Sequence, residues 1–459
     1  MTDKFSITPL NRLLRMILEQ YDLHRSIFGI PEELFFRPDE HPGLARLHLD
    51  QLLESPVGVA AGPHTQLAQN IVAAWLTGAR FIELKTIQTL DELEISKPCI
   101  DMPDEGYNCE WSQELKIHES FDQYLNAWII IHVLRHKFGW ANGEFPGVIF
   151  NMSVGYNFEG ILKENVQWYL ENMKDTAGIL ASKTDQIRHI YPDIDEIRIN
   201  PCISDNITLS TMHGCPPDEI EKIAAYLIRE RKLHTIVKLN PTLIGREMMN
   251  DIMQRSGFET IVPDIAFEHD LKYEDGTAMI ARLKALAEKE DLYFGVKLTN
   301  TLESVNHRDV FSPEEKMMYM SGRALHPVSV NLAGKLQETF EGQLNISFSG
   351  GADAFNVADV LKSGLFPVTV CTDLLKPGGY GRVSQYFAGL TKEIYNGKNF
   401  EYLKHYAKQT LGDQKYKKST LRELSIKSTR ALGAFDCISA PCVETCATHQ
   451  GIPDYLYHT

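Results

Sequence analysis

Residues 56–63 read Pro-Val-Gly-Val-Ala-Ala-Gly-Pro, a short apolar run that ends in small residues. Similar β-type runs, each followed by a longer amphipathic segment, return along about 340 residues, and this alternation predicts a parallel sheet with helices outside it. Nine candidate strands cover residues 57–60, 80–85, 148–152, 196–200, 235–239, 260–266, 293–298, 345–348 and 368–371. The spacing of apolar residues predicts helices over 218–231, which follows a Pro-Pro pair, and over 279–288.

A (β/α)8 barrel uses eight strands, so one candidate is surplus, and residues 260–266 are the first to set aside. The segment 88–143 is longer than one helix needs, which predicts an excursion over the barrel mouth. A doubly wound sheet is the alternative fold, but no Gly-x-Gly-x-x-Gly motif follows any candidate strand. The expected division is a helical N-terminal extension (1–50), a barrel (51–395), and a helical linker leading into the start of another domain (396–459).

The composition limits the classes of partner. The chain has 459 residues with a net charge of −15, which argues against nucleic acid or an anionic membrane as the main partner. A local basic pocket for a phosphate stays open. The most apolar stretch, residues 127–134, is about a third of the length that a membrane span needs. The N-terminus has no signal-peptide pattern, so we expect a cytoplasmic protein.

Eight cysteines are too sparse for a disulfide scaffold in a chain of this length. Three of them, Cys437, Cys442 and Cys446, lie within ten residues near the end. This clustering predicts metal ligation.

Polar and small residues follow the candidate strands, where a barrel places its working groups. They are Ala60, Ala61, Lys85, Asn151, Asn157, Asn200, Lys238, Asn240, Lys297, Thr299, Asn300, Thr301, Gly350, Gly351 and Thr372. Each alone has a structural explanation, since lysines pair with carboxylates and asparagines cap loops. Together they predict a ring of donors around an electron-rich planar ligand. The backbone N–H groups of Gly350, Gly351 and Thr372 would cradle a phosphate, and lysines near an isoalloxazine ring would stabilise reduced flavin.

These motifs carry a family resemblance. Over residues 50–395 the sequence resembles the FMN-containing barrel of dihydroorotate dehydrogenases, and more closely the corresponding domain of dihydropyrimidine dehydrogenase. The shared motifs, in family order, are PVGVAAG at 56–62, KT at 85–86, GYN at 155–157, VKL at 237–239, TNT at 299–301, SGRALHP at 321–327, SGG at 349–351 and Thr372. Overall the chain is most similar to the selenate reductase YgfK subunit family, through residues 209–219 and 373–380.

The resemblance implies an α/β fold, a TIM barrel of the dihydroorotate-dehydrogenase type that binds FMN. Lys85 and Lys238 would contact the flavin ring and ribityl chain, and Gly350, Gly351 and Thr372 would hold its phosphate. Other residues would line the flavin or the substrate: Ala60, Ala61, Asn157, Asn200, Thr299, Asn300 and Thr301.

The proton-transferring residue departs from the family pattern. The family has Cys or Ser three residues after the fourth-strand asparagine, here Asn200, and Ile203, which cannot transfer a proton, stands at that position. The nearby candidates are Cys202, Ser204, Ser210, His213 and Cys215. Cys215 is favoured because Gly214 and the helix start at Pro216 would expose its thiol and lower its pKa. A buried structural thiol is the alternative.

The C-terminal cysteines resemble the opening of the iron–sulfur domain in dihydropyrimidine dehydrogenase and in the glutamate synthase small subunit. A [4Fe–4S] cluster usually takes four thiolates, and the position of the expected fourth cysteine holds Ala434. A zinc site completed by His449 is an alternative, as is a chance cluster. If the site is an iron–sulfur cluster, three explanations account for the missing fourth ligand: the chain is a fragment, a partner subunit completes the site, or the motif is vestigial. We favour the first two.

The expected function is that of an FMN-dependent oxidoreductase acting on a double bond of a nitrogen heterocycle, such as a pyrimidine or an oxopurine. Electrons would come from an iron–sulfur, FAD and NAD(P)H module outside this chain. A flavin-binding electron-transfer or scaffold subunit is the first alternative. A lyase or aldolase with a Schiff-base lysine is the second.

Overall fold

The computed structural model describes residues 6–90, 99–102, 113–140, 145–211, 215–307, 311, 313–376, 378–390 and 397–418. Eight parallel strands close into a barrel in sequence order, with the eighth paired to the first. The strands are β1 (Val57–Val59), β2 (Phe81–Glu83), β3 (Ile149–Val154), β4 (Asn206–Ser210), β5 (His234–Leu239), β6 (Phe294–Leu298), β7 (Ile346–Phe348) and β8 (Val368–Val370). The predicted (β/α)8 TIM barrel is confirmed.

Helices surround this barrel. In chain order they are α1 (Leu10–His24), α2 (Ala68–Leu76), α3 (Ile117–Phe138), α4 (Phe158–Ile161), α5 (Glu164–Lys174), α6 (Ala177–Asp185), α7 (Pro217–Arg229), α8 (Arg246–Ser256), α9 (Asp264–His269), α10 (Tyr273–Lys289), α11 (His326–Thr339), α12 (Val357–Lys362), α13 (Ser384–Phe387) and α14 (Phe400–Thr410). The apolar stripe of α7 is buried as its spacing predicted, and α10 contains the predicted helix 279–288. Within the described residues, none of these helices is both long and apolar enough to cross a membrane.

Two predicted strands are wrong. Residues 192–196 form a short 3-10 helix and 197–200 are irregular, so the fourth strand is β4, ten residues later. The polar residues of β4 interrupt the apolar pattern expected of a buried strand, because they form hydrogen bonds inside the barrel. Asn151 donates to Asn206 at 2.7 Å, and Thr208 donates to Asn151 at 2.6 Å. Residues 260–266 form no strand, and α9 begins among them.

The N-terminal end of the barrel is closed by a hairpin of Arg46–His48 and Gln51–Leu53. Beside it lies a buried charge network in which Glu54 accepts from Arg80 and from Arg135, both at 2.8 Å. Burial of these three charged groups is tolerated because each has an opposite partner. This network provides an internal comparison for the charges at the other end of the barrel.

The predicted excursion after β2 is confirmed where the structure describes it. Ile100–Asp101 joins Leu302–Val305 and Met317–Met320 in a small three-stranded sheet. The backbone N–H of Ser321 donates to Asp101 O at 2.9 Å, and the Ser321 hydroxyl lies 3.2 Å from that of Thr372, just beyond β8. The small sheet therefore adjoins the mouth, meaning the C-terminal ends of the barrel strands.

At the end of the described chain, α14 packs against α11, and Asn331 donates to Ala407 O at 3.1 Å. In the predicted helical linker, residues 414–416 form a single 3-10 turn after α14, and residues from 419 onward lie outside the described residues. Cys437, Cys442 and Cys446, together with Ala434 and His449, also lie outside them. The division at residue 395 stays a prediction.

Candidate active site at the barrel mouth

A buried charge cluster lies under the mouth, formed by Glu83, Lys238 and Lys297. Glu83 ends β2 and has no exposed surface, and its carboxylate lies 2.7 Å from Lys297 Nζ and 3.6 Å from Lys238 Nζ. Burial alone would raise the pKa of Glu83, but the two ammonium groups together outweigh it and hold the pKa at about 2. The Glu83 carboxyl is therefore ionised at neutral pH, whereas burial lowers the pKa of the Lys297 ammonium and the Glu83 carboxylate opposes that effect. Counted as one carboxylate and two ammonium groups, the cluster has a formal charge of +1.

The polar side chains next to this cluster lie on β8 and just beyond the ends of β1 and β8. Lys297 Nζ donates to Thr369 Oγ1 at 2.7 Å. Beyond β1, His64 Nδ1 lies 3.8 Å from Cys371 Sγ, which follows β8. Burial lowers the pKa of His64 to about 4, so the imidazole is neutral at pH 7. Burial likewise raises the pKa of the Cys371 thiol to about 11, with a smaller opposing effect of Lys238.

Amides and hydroxyls interlock on the neighbouring side of the mouth, after β4, β5 and β6. Asn300 Nδ2 donates to Thr211 O at 2.9 Å and to Asn240 Oδ1 at 2.8 Å. Thr211 in turn donates to Lys238 O at 2.7 Å, and Ser210 donates to Asn300 Oδ1 at 3.4 Å. This network fixes the orientation of the Asn300 amide.

A cradle of backbone N–H groups follows β7 and β8. Gly351 has a φ of +62°, and a Cβ built on it would lie 2.4 Å from Gly322 O, so a side chain there would push two loops apart. A Cβ on Gly350 would likewise meet the Ser329 side chain at 2.4 Å. Within the described residues, the N–H groups of Gly350, Gly351 and Thr372 have no hydrogen-bond acceptor. Unpaired N–H groups converging from two loops are suited to bind an anion.

The cradle is supported from behind by His326, the first residue of α11. Its buried imidazole lies 2.6 Å from Gly350 O through Nδ1 and 2.7 Å from the Tyr406 hydroxyl through Nε2. Burial lowers the pKa of His326 to about 3, so the ring is neutral; Nδ1 donates to the carbonyl and Nε2 accepts from Tyr406. The guanidinium of Arg323 donates to Lys415 O at 2.6 Å. Both contacts tie the end of the described chain to the cradle.

The comparisons with known proteins agree with this architecture. Residues 28–418 match a family described as oxidoreductase YgfK, N-terminal TIM-barrel domain. The chain is 43% identical over 471 aligned residues to "Putative oxidoreductase YgfK" of Escherichia coli K12, an alignment that covers 98% of this chain.

The chain belongs to the YgfK oxidoreductase family.

It spans about 45% of the length of this curated relative and of its counterpart in Escherichia coli O157:H7, which is also 43% identical. Two solved structures of Eimeria tenella DHODH are similar to the barrel. The ligand-free structure has a TM-score of 0.49 and 15% identity, covering 80% of this chain and 94% of its own. The complex with ferulenol has a TM-score of 0.46 and 16% identity, covering 76% of this chain and 85% of its own.

In this YgfK-family barrel, most of the residues predicted for cofactor binding meet at the mouth. They are Ala60, Ala61, Lys85, Lys238, Thr299, Asn300, Thr301, Gly350, Gly351 and Thr372, each following or ending a barrel strand. Ser210, a predicted catalytic residue, ends β4 and belongs to the same group. Lys85 is buried two residues beyond the end of β2, the strand that carries Glu83.

Three predicted residues are placed elsewhere or are otherwise engaged. Asn200 and Cys202 precede β4, at the N-terminal end of the barrel, where Asn200 Oδ1 accepts from the Cys202 N–H at 2.9 Å. Their prediction depended on the wrong fourth strand. Asn157 does follow β3, but its side chain caps α4 by accepting from Gly160 N at 2.8 Å. It also lines an outer cavity of about 800 Å³ with Tyr156 and Trp168.

The expected low pKa of Cys215 is wrong. Burial, and then the nearby carboxylate of Glu219 in the first turn of α7, raise the pKa of this thiol to about 11. The thiol is therefore protonated at neutral pH, so it could serve as a proton donor but not as a thiolate nucleophile. Burial also raises the pKa of Cys202 to about 11. His213 and Gly214 lie outside the described residues.

Sequence reasoning missed Glu83, His326 and Thr211, the residue directly after β4. The available signal for Glu83 was a carboxylate within an apolar strand, Phe81-Ile82-Glu83-Leu84. His326 gave none beyond its place in a family motif. Within the described chain, no group of three or more His, Cys, Asp or Glu side chains is arranged to hold a metal ion.

Proposed function

We propose that this chain is the FMN-binding barrel of an oxidoreductase that acts on a double bond of a nitrogen heterocycle. One observation carries the proposal: N–H groups that have no acceptor among the described residues and a buried cationic cluster share one barrel mouth. These are the two features that a flavin nucleotide requires, since its phosphate is anionic and its ring gains negative charge on reduction.

The residues present fit FMN at both ends. Gly350, Gly351 and Thr372 would bind the phosphate, because glycine leaves the backbone accessible and the N–H groups have no competing acceptor among the described residues. Lys238 and Lys85 would face the ring and the ribityl chain. Ala60 and Ala61 allow a flat ring to lie close to the backbone. When bound, FMN would supply hydride chemistry to the site.

The protein's own groups would bind and orient the heterocycle. Asn300 and Asn240 are held in register by their mutual hydrogen bond, so their remaining donor and acceptor positions are fixed. Amide groups of this kind match the N–H and C=O groups of a pyrimidine or an oxopurine. Ser210 hydrogen-bonds Asn300 and would hold or move a proton there, and Cys215 is the second candidate as a protonated thiol.

Electrons would arrive from outside this chain. The curated relatives are more than twice as long as the matched region, which leaves room for an iron–sulfur, FAD and NAD(P)H module. Cys437, Cys442 and Cys446 would provide three ligands of a [4Fe–4S] cluster at its start, with the fourth ligand from elsewhere. A cytoplasmic location stays a prediction.

Titration of apoprotein with FMN, followed by flavin fluorescence and the visible spectrum, tests this function. We expect saturable one-to-one binding and a perturbed flavin spectrum. A protein that stays colourless and cannot be reconstituted with FMN refutes the proposal.

A flavin-binding electron-transfer or scaffold subunit is the second candidate. It is favoured by the position of Cys202, a predicted catalytic thiol that lies at the N-terminal end of the barrel and not at the mouth. The two are separated by supplying NADH, the partner module and candidate heterocycles to the FMN-loaded protein: turnover supports the enzyme, and its absence with intact flavin reduction supports the scaffold.

A further inference from the structure

We propose that the buried pair Glu83–Lys297 is a positioning pair, which fixes the Lys238 ammonium at the barrel mouth and sets the charge beneath the flavin, and thereby its reduction potential. The inference rests on the FMN binding proposed above. Lys297 was predicted to be a donor toward the ligand, but its side chain is buried against Glu83, which itself has no exposed surface. Both residues would therefore act through Lys238 and through the field of the cluster.

The geometry places the pair directly below the mouth. The Glu83 carboxylate lies between the two ammonium groups, 2.7 Å from Lys297 Nζ and 3.6 Å from Lys238 Nζ. Glu83 has no exposed surface and Lys297 almost none, whereas Lys238 keeps 12% of its side-chain surface exposed. The cluster is therefore open only through Lys238, on the side where the ligand would lie.

Among the described residues, the further titratable side chains on this side of the barrel include His64, Cys371 and Lys85. The backbone of Ala61, two residues beyond β1, also contributes to the low pKa of the Glu83 carboxyl. His64 and Cys371 are both neutral at pH 7, and Lys85 is a further cationic side chain close enough to influence His64. Glu83 influences both His64 and Cys371, so its field extends to the ends of β1 and β8.

A purely structural role accounts poorly for this pair. The interior of a (β/α)8 barrel is normally filled with branched apolar side chains, and a buried ion pair is often no more stabilising than an apolar pair of similar volume. The Glu54–Arg80–Arg135 network has the same composition, one carboxylate between two cations, but it lies at the opposite end of the barrel. A substitution in this second network therefore tests whether an effect on the flavin comes from removing any buried carboxylate or only from removing the one at the mouth.

The charge of the cluster gives opposite predictions for the two partners. The wild-type cluster carries +1; Glu83→Gln raises this to +2, Lys297→Gln lowers it to 0, and the double variant returns it to +1. Since reduction adds negative charge to the flavin ring, a more positive cluster binds reduced FMN more tightly relative to oxidised FMN. Glu83→Gln is expected to raise the potential and Lys297→Gln to lower it.

The experiment measures the midpoint potential of FMN bound to the full chain, by spectroelectrochemistry, for the wild type, both single variants and the double variant. We expect each single variant to change the ratio of the dissociation constants of oxidised and reduced FMN by about tenfold, in opposite directions. Tenfold corresponds to about 30 mV for a two-electron couple. The double variant should return close to the wild type, and Glu83→Asp, which keeps the charge, should stay close to it.

Glu54→Gln is the matched control, and we expect it to lower stability without moving the potential. Single variants that shift the potential in the same direction, or not at all, overturn the inference. If Glu83→Gln does not fold, the downward shift in Lys297→Gln and its reversal in the double variant decide the question. Failure of the wild type to bind FMN is a different result, which refutes the proposed function itself.

Discussion

Replacing Gly351 by alanine is the sharpest test of the phosphate cradle, because the single added atom would meet the backbone of Gly322 and Arg323. The Cβ would lie 2.4 Å from Gly322 O, where carbon and oxygen normally stay about 3.5 Å apart. The loops after β6 and β7 must therefore separate by about 1 Å. Two of the three N–H groups that would hold the phosphate, those of Gly350 and Gly351, lie on the loop after β7.

The expected magnitude has two parts. Placing alanine at a φ of +62° costs about 1–2 kcal/mol of folding free energy. Separation of the loops should also remove at least one N–H contact to the phosphate, worth about 1.5–3 kcal/mol for a charged acceptor. At about 1.4 kcal/mol per tenfold change, FMN should bind about 10- to 150-fold more weakly.

Gly139→Ala is the matched control. Gly139 ends α3 with a φ of +67°, and nothing lies within 4 Å of a Cβ built there. Both variants should lose stability in urea unfolding through the positive φ, Gly351→Ala more so because of its clash, but only Gly351→Ala should weaken FMN binding in fluorescence titration. Wild-type FMN affinity in Gly351→Ala would refute the placement of the phosphate.

Three further predictions concern residues outside the cradle. Glu54→Gln leaves Arg80 and Arg135 buried without a carboxylate, so the free energy of unfolding should fall by about 3–5 kcal/mol in urea titrations, and an unchanged midpoint would contradict the ion-pair assignment. His326 has a folded pKa of about 3, below its unfolded value, so its stabilisation is complete above about pH 6.5 and is lost as the pH falls toward 3. His326→Gln should therefore flatten the pH dependence of stability by up to about 1.4 kcal/mol per pH unit between pH 6 and 4, and an unchanged slope would exclude a neutral buried imidazole. Once a substrate is known, Ser210→Ala should lower kcat whereas Cys202→Ser should not, because Cys202 lies at the opposite end of the barrel. The reverse result would support the site predicted from the sequence, around Asn200 and Cys202.

The barrel itself could be predicted from the sequence, because short apolar strands alternate with amphipathic helices. The fourth strand could not, since Asn206 and Thr208 satisfy one another and Asn151 inside the barrel and so lack the apolar pattern of a buried strand. That single error also misplaced Asn200 and Cys202. A strand can be predicted from its own residues only when its buried side chains are apolar, and not when polar side chains are satisfied by residues distant in the sequence.

The residues of the candidate site likewise fall into those that could be predicted from the sequence and those that could not. Strand-end lysines and the paired glycines were predictable, because position at a strand end is a property of the chain. The bridging role of Glu83 was not, because it depends on two lysines more than 150 residues away in sequence. The pKa of Cys215 was predicted with the wrong sign, since burial and Glu219 outweigh the helix start.

Comparison of FMN with riboflavin tests the central claim most directly, because the two ligands differ only in the phosphate. Both would be titrated against the same apoprotein and followed by quenching of flavin fluorescence. The account predicts that FMN binds at least about tenfold more tightly, the equivalent of one charged hydrogen bond from the cradle. Equal affinity for the two flavins, or binding of neither, would contradict it.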